Sequence, residues 1–252
     1  MKRAQTGWLA SGMALVVAVV MMAVLLSGNV HEERDVRILL TTGGHDFQQD
    51  PFFEMFDKLP GVEYTHVKLP DSAHLLKPGL EEEYDAIVMY DMVESITEDE
   101  RRSFIGLLQN GIGIVSLHHN LGAHRDWPEF TRIIGGKYIF TPRRIDGKKY
   151  APSTFAHDQD IFVEVSDRNH AVVQGITDFQ IHDETYQGYY TSPDVRVLLT
   201  TEHPKSDRAL AWTSQYGESR VIYLLLGHDS LAWRHPTFPK LLLNAILWAA
   251  NR

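Results

Sequence analysis

From Val36 to the C-terminus, short apolar runs rich in β-branched residues alternate with amphipathic stretches, the pattern of a mostly parallel sheet covered by helices. Val36–Thr41 (VRILLT) reads as a buried strand that ends in Thr42-Gly43-Gly44-His45-Asp46, with a helix over Pro51–Leu59 behind it. Val62–Val67 and Ala86–Tyr90 (AIVMY) read as the second and third strands. Thr97-Glu98-Asp99-Glu100 has the spacing of a capping box and predicts a helix to Gln109, stopped by Asn110-Gly111. Gly113–Leu117 (GIVSL) follows as a fourth buried strand and delivers His118-His119 at its C-terminal end, the edge where open α/β sheets hold their ligands. A further helix is predicted around Trp127–Ile134.

The second half predicts β runs at Ile161–Val165, Val195–Thr200, Ala209–Thr213 and Arg220–Leu226. The pair Ala209–Gln215 and Arg220–Leu226, joined through Tyr216-Gly217-Glu218-Ser219, reads as a hairpin. Pro236–Ala250 reads as a closing helix with Leu241, Leu242, Ala245, Ile246 and Trp248 on its apolar face. No internal repeat and no low-complexity linker divides this part, so one α/β domain is the economical reading.

The N-terminus is of another kind. Residues 4–30 carry no ionisable side chain, and Trp8–Leu26 is almost wholly Ala, Val, Leu and Met behind Lys2 and Arg3. That run is long enough to cross a bilayer as a helix. Leu25, Leu26, Ser27, Gly28 and Asn29 make a poor cleavage site, which favours an uncleaved signal anchor over a signal peptide for residues 1–30. Basic residues before the span, with Glu32, Glu33 and Asp35 after it, place the rest of the chain outside the cytoplasm, tethered to the membrane or, if cleaved, secreted.

Composition narrows the chemistry. The 252 residues include 24 Lys+Arg, 33 Asp+Glu and 13 His but no Cys, for a formal charge of −9. Without Lys2 and Arg3 the exported part has 22 basic and 33 acidic residues, a charge of −11. Such a balance argues against nucleic acid as a partner, because phosphate contacts need clustered Lys and Arg. The missing thiols exclude disulfides, thiolate metal sites and a Cys nucleophile, and leave imidazoles and carboxylates to do any chemistry.

Four polar clusters fall where strands or tight loops should end: His45-Asp46, His118-His119, His182-Asp183-Glu184 with Tyr186, and His228-Asp229. Two imidazoles at the end of a wholly apolar strand have no packing reason to be there. His119, one residue on, should point to the other side. Trp127, Trp212 and Trp233, with Tyr186, are candidates for flat faces against a sugar. His170 reads as a turn or cap, and His66, His74, His124, His157, His203 and His235 as ordinary structural residues. The clusters would suit general acid and base work on a polyol or keto-sugar, with His118, Asp183, Glu184 and His228 as catalytic groups and His45, His119 and Tyr186 binding substrate. They would equally suit a divalent Zn, Mn or Ni ion held by His118, His228 and Glu184. If His118, Glu184 and His228 lay more than about 10 Å apart, a non-catalytic carbohydrate-binding or scaffold role would gain instead.

The pieces Ile38–Phe47 (ILLTTGGHDF), Gly111–Ala123 (GIGIVSLHHNLGA), Asn169–Phe179 (NHAVVQGITDF), Asp183-Glu184-Thr185-Tyr186, Ala211-Trp212-Thr213, Arg220–Asp229 (RVIYLLLGHD) and the closing LLLNAILWAA resemble, in order, the ThuA-like (trehalose utilisation) family across 36–252. The resemblance implies a flavodoxin-like sheet of the class I glutamine amidotransferase-like kind and a role in sugar catabolism, on oxidised 3-keto sugars, with a small carbohydrate as partner. It singles out His118, Asp183, Glu184, Tyr186 and His228, with His45 nearby. It departs at His119, where it implies a small residue. Amidotransferases carry a nucleophilic Cys on a sharp elbow at the end of the strand matching Gly113–Leu117, so glutaminase chemistry of that kind is excluded here.

Overall fold

The computed structural model of the chain describes Met1 and residues 35–252. The segment expected as a signal anchor or signal peptide lies outside the described residues, and among the described residues no helix is long and apolar enough to cross a membrane.

The first strand, β1 (Val36–Gly43), is buried over almost its whole length, as its unbroken apolar run requires. It is followed by α1 (Gln49–Asp57), β2 (Val62–Lys68) and β3 (Ala86–Asp91). Next come α2 (Glu98–Gln109), β4 (Gly113–Leu117) and α3 (Pro128–Ile134). The capping box at α2 is present as the spacing predicts: the Glu100 N–H donates to the Thr97 hydroxyl at 3.3 Å, and the Thr97 N–H donates to the Glu100 carboxylate at 2.8 Å. Short strands β5 (Gly136–Lys137), β6 (Arg143–Ile145) and β7 (Lys148–Tyr150) lead into the long β8 (Thr154–Val165) and β9 (Phe179–Gln187). The chain closes with β10 (Tyr190–Thr191), β11 (Arg196–Thr200), β12 (Ala209–Tyr216), β13 (Ser219–Leu224), α4 (Ser230–Trp233) and α5 (Thr237–Ala249).

Nine strands form one sheet in the order β2-β1-β3-β4-β13-β12-β11-β8-β9. Every pairing from β2 to β13 is parallel, and every pairing from β13 outward to β9 is antiparallel. Parallel neighbours need a long crossover, which the helices of the first half supply; β12 and β13 meet through the two-residue turn Gly217-Glu218, and so tight a link fixes them antiparallel. The predicted hairpin is therefore present with a tighter turn. Leu241, Leu242, Ala245 and Ile246 of α5 are buried as expected, but Trp248 is half-buried, with Arg220 lying over its ring.

Two corrections concern the second half. The predicted run Ile161–Val165 is the end of a strand that begins at Thr154, and Phe179–Gln187 is a strand where only a polar cluster had been expected. Both carry so many polar residues, β9 as the edge strand and β8 beside it, that their apolar periodicity is weak, and a bulge between Ala156 and Gln159 breaks what remains. Residues 35–252 constitute one compact unit.

Candidate functional site

The apolar β4 ends at His118, whose backbone turns into the left-handed region (φ 47°) and starts a 3-10 turn over His118–Gly122. That conformation is uncommon for a residue with a side chain and persists where its surroundings hold it. Here the Tyr223 hydroxyl donates to the His118 carbonyl at 2.8 Å, the Ser116 hydroxyl donates to the Asn120 side-chain Oδ1 at 2.7 Å, and the Asn120 side-chain amide Nδ2–H donates to the Asp91 carbonyl at 2.8 Å. His118 thus stands at a sharp elbow on the carboxyl edge of the parallel block, completely buried.

Glu184 and Tyr186, two residues apart on β9, present one face of that strand toward His118. The His118 Nδ1–H donates to the Leu225 carbonyl at 2.6 Å, so in the neutral ring the lone pair lies on Nε2. Around Nε2 gather the Tyr186 hydroxyl at 2.8 Å, Glu184 Oε2 at 2.9 Å and His228 Nδ1 at 3.1 Å. His228 Nδ1 is 3.3 Å from Glu184 Oε2, and the other carboxylate oxygen, Oε1, is 3.1 Å from Nδ1 of His157. Burial works to raise the Glu184 pKa, but the hydrogen bonds and positive charge of His118 and His228 outweigh it and hold the carboxyl well below its usual range. Burial likewise works to lower the His228 pKa, and is outweighed by Glu184, Asp183 and Asp229, so that ring protonates more readily than a free imidazole.

Asp183 takes a different part from its neighbour. On the opposite face of β9, its carboxylate accepts from the backbone N–H of Gly227 at 2.7 Å, of His228 at 3.0 Å and of Glu184 at 2.8 Å. It is buried and does not line the cavity. The same loop is gripped from its carbonyl side, where the Trp233 indole N–H donates to Gly227 at 2.8 Å and the Tyr90 hydroxyl donates to His228 at 3.1 Å. Gly227 adopts φ 107°, and a Cβ there would lie 2.5 Å from the Phe238 ring. Only glycine therefore lets β13 turn this sharply toward His228.

His119 does not point away from His118 as strand alternation suggests. The 3-10 turn begins at His118 and cancels the alternation, so His119 lines the same cavity, its Nε2–H donating to the Tyr90 carbonyl at 3.1 Å and its ring stacked 4.6 Å from His45. Burial, with the charges of His118 and His45, pushes its pKa well below the ordinary value and keeps the ring neutral. His45 is exposed at the rim, and its Nδ1–H donates to the Asp46 carbonyl at 2.6 Å.

The cavity holds about 270 Å³ and, besides the residues named, is lined by Met92, Tyr138, Phe140 and Phe155. Three of the aromatic faces expected to meet a sugar are elsewhere: Trp127, Trp212 and Trp233 are packed in the core. The rim instead takes its rings from Tyr138, Phe140 and Phe155, and Phe155 is 58% exposed. His157, read from sequence as an ordinary residue, also belongs here. The signal that finds it is the spacing of two between Phe155 and His157, which puts both on one face of β8 once that strand is extended back to Thr154.

The donor set also has the composition of a metal site. Nε2 of His118, Oε2 of Glu184 and Nδ1 of His228 lie mutually 2.9–3.3 Å apart, close to the roughly 3–3.4 Å between ligands that sit about 2.0–2.2 Å from one ion. A backbone carbonyl on the far nitrogen of His118 is how a metal-bound imidazole is usually oriented. The residues fit a divalent cation, which would supply Lewis acidity at this point.

A parallel five-stranded block flanked by helices and extended by antiparallel strands, with a buried polar cluster on an elbow at its carboxyl edge, is consistent with the class I glutamine amidotransferase-like fold without its Cys. The sequence matches the family described as ThuA, trehalose utilisation, over residues 37–249, and the chain belongs to that family. Among solved structures it is similar to a ThuA-like protein from Parabacteroides merdae, with 24% identity, 86% of this chain and 90% of that chain covered, and a TM-score of 0.71. A ThuA-like protein from Bacteroides uniformis aligns with 22% identity over 88% of this chain and 94% of that one, with a TM-score of 0.67. A β-galactosidase from Rahnella sp. R3 shares the fold over 85% of this chain but 31% of its own, with 11% identity and a TM-score of 0.53. No curated protein matches the sequence.

Proposed function

We propose that the chain is an exported enzyme of carbohydrate catabolism that does acid and base chemistry on a sugar or keto-sugar, with His118, Glu184 and His228 carrying the reaction. The observation behind this is convergence: three groups separated by 66 and 110 residues in sequence meet within 3.3 Å at the floor of one cavity. A buried cluster of this kind on a sheet edge has no evident packing purpose, and perturbed titration concentrates at functional sites. Glu184, held ionised, is the base. On a keto-sugar it takes the proton from the carbon next to the carbonyl, and the negative charge that develops on the carbonyl oxygen is met by a hydrogen bond from protonated His228. His228 suits that contact because its side chain is 25% exposed, against 1% for His118, which positions the carboxylate from behind. Tyr138, Phe140 and Phe155 offer ring faces to the apolar C–H surface of the sugar. The family's description as trehalose utilisation supports a disaccharide-derived substrate, and the apolar N-terminal segment behind Lys2 and Arg3 supports export with membrane tethering.

The test is a screen of 3-keto-glycosides and unoxidised disaccharides against the purified chain and His118→Ala. Turnover that His118→Ala abolishes while circular dichroism stays unchanged supports the reading; undiminished turnover in the variant sinks it, and binding without turnover favours a carbohydrate-binding role. A second reading rests on the spacing of His118 Nε2, Glu184 Oε2 and His228 Nδ1, mutually 2.9–3.3 Å apart: the same three residues hold a divalent ion. Elemental analysis after dialysis, with the screen repeated in added Mn²⁺, Ni²⁺ or Zn²⁺, decides between them.

A further inference from the structure

A second cavity holds about 620 Å³: Lys137 lines it, while its neighbour Tyr138 lines the triad pocket. Lys137 is 5% exposed, and its ammonium makes no hydrogen bond or ion pair with any described residue. Its stem is packed away while the ammonium opens onto the cavity, so its acceptors must come from what fills that cavity. Burial first, and the nearby charge of Arg143 second, draw its pKa down to about 8, with Asp126 opposing.

Arg143 stands on the same cavity and is only partly occupied. One terminal nitrogen donates to the Arg125 carbonyl at 3.1 Å, the other is 3.7 Å from Asp126, and its buried Nε has no partner. Arg144, donating to the Gly147 carbonyl at 2.8 Å, and Arg132, paired with Glu129 at 2.7 Å, are the other cations on its lining. Three acids share the lining, Asp126, Asp146 and Asp194, but none pairs with Lys137: the Asp126 side chain is 91% exposed, Asp146 already accepts from the Tyr190 hydroxyl at 2.6 Å, and Asp194 is exposed. What the cavity lacks is an acceptor in direct contact with the Lys137 ammonium.

We infer that this cavity is a binding site for an anion, in which Lys137 and Arg143 hold the carboxylate or phosphate group of a small organic molecule. An oxyanion supplies the acceptors that both cations lack, and the pairing of a point-charge ammonium with a forked guanidinium suits either group. The site is separate from the triad and does not depend on what the triad does.

The experiment titrates the full-length chain with inorganic phosphate, glucose 6-phosphate and glucuronate, each against sodium chloride of equal ionic strength, by calorimetry and thermal shift. At least one of these anions is expected to bind saturably. Its affinity should fall at least tenfold in Lys137→Met and in Arg143→Met, and stay within twofold in Lys205→Met, an exposed lysine outside the cavity. Which anion binds best distinguishes phosphate from carboxylate. Without any anion, Lys137→Met should melt no lower than the parent, since the ammonium it removes has no internal partner. No saturable response beyond chloride, an equal response in Lys137→Met and Arg143→Met, or a marked loss of stability in anion-free Lys137→Met would each overturn the inference.

Discussion

Asp183 is the residue whose replacement separates positioning from chemistry most sharply. Its carboxylate is buried and accepts three backbone N–H groups, two of them from Gly227 and His228, so it fixes the loop that carries one imidazole of the triad. Asp183→Asn keeps the size but offers one acceptor oxygen. If the amide oxygen faces Glu184 and His228, the amide nitrogen meets the Gly227 N–H, donor against donor. A hydrogen bond to a charged group contributes about 1.5–3 kcal/mol, and an unsatisfied buried donor costs about 1–3 kcal/mol. Relief of the buried charge offsets part of this, since burial is the main cause that raises the Asp183 pKa. The expected net loss is about 2–4 kcal/mol, read as a lower urea midpoint at unchanged slope. Activity should fall further than stability alone explains, by about a hundredfold in kcat, because a shift of roughly 1 Å at His228 is enough for that. An Asp183→Asn variant with the parent's urea midpoint and kcat would refute the argument that Asp183 holds the His228 loop.

Other consequences follow from the same geometry. Asp91, completely buried and accepting from the Thr41 hydroxyl at 2.7 Å, has its pKa raised by burial from 3.8 to about 6. The folded state therefore binds its proton more tightly than the unfolded one. Its contribution is fully present below about pH 4 and is lost as pH rises through 6, roughly 3 kcal/mol in all. Asp91→Asn should flatten that part of a urea-midpoint profile between pH 4 and 7; an unchanged slope would contradict the assignment. Gly227→Ala puts a Cβ 2.5 Å from Phe238 at φ 107°, and should cost about 2–4 kcal/mol, seen as a lower Tm. His157→Ala, at an exposed position, should leave stability within about 0.5 kcal/mol yet lower kcat/KM, because it removes a contact to Glu184 Oε1.

The parallel half of the fold was legible in the sequence because β1, β3, β4 and β13 are buried on both faces and stand out as continuous apolar runs, with β1 ended by a glycine pair and β4 by a histidine pair. His118 could be found for the same reason: polarity at the end of GIVSL has no packing account. Glu184 and Tyr186 were found as a cluster, but their strand was not, since a polar edge strand lacks the periodicity that marks its neighbours. His157 was missed with the first half of β8, beyond a bulge that pairing reveals and composition does not. The division of labour between Asp183 and Glu184 was also hidden. Adjacent carboxylates look alike in sequence, and only the alternation of β9 sends one to the His228 backbone and the other to the cavity.

The proposed role of Glu184 as the base on a keto-sugar can be read at the proton it removes. The direct measurement is exchange of the C–H next to the carbonyl of a 3-keto-glycoside with solvent deuterium, followed by proton NMR, for the parent chain and Glu184→Gln. Rapid exchange by the parent, slowed at least a hundredfold in Glu184→Gln, is the predicted result, in line with the usual worth of a positioned base. Exchange at equal rates in the two proteins would rule out Glu184 as the base.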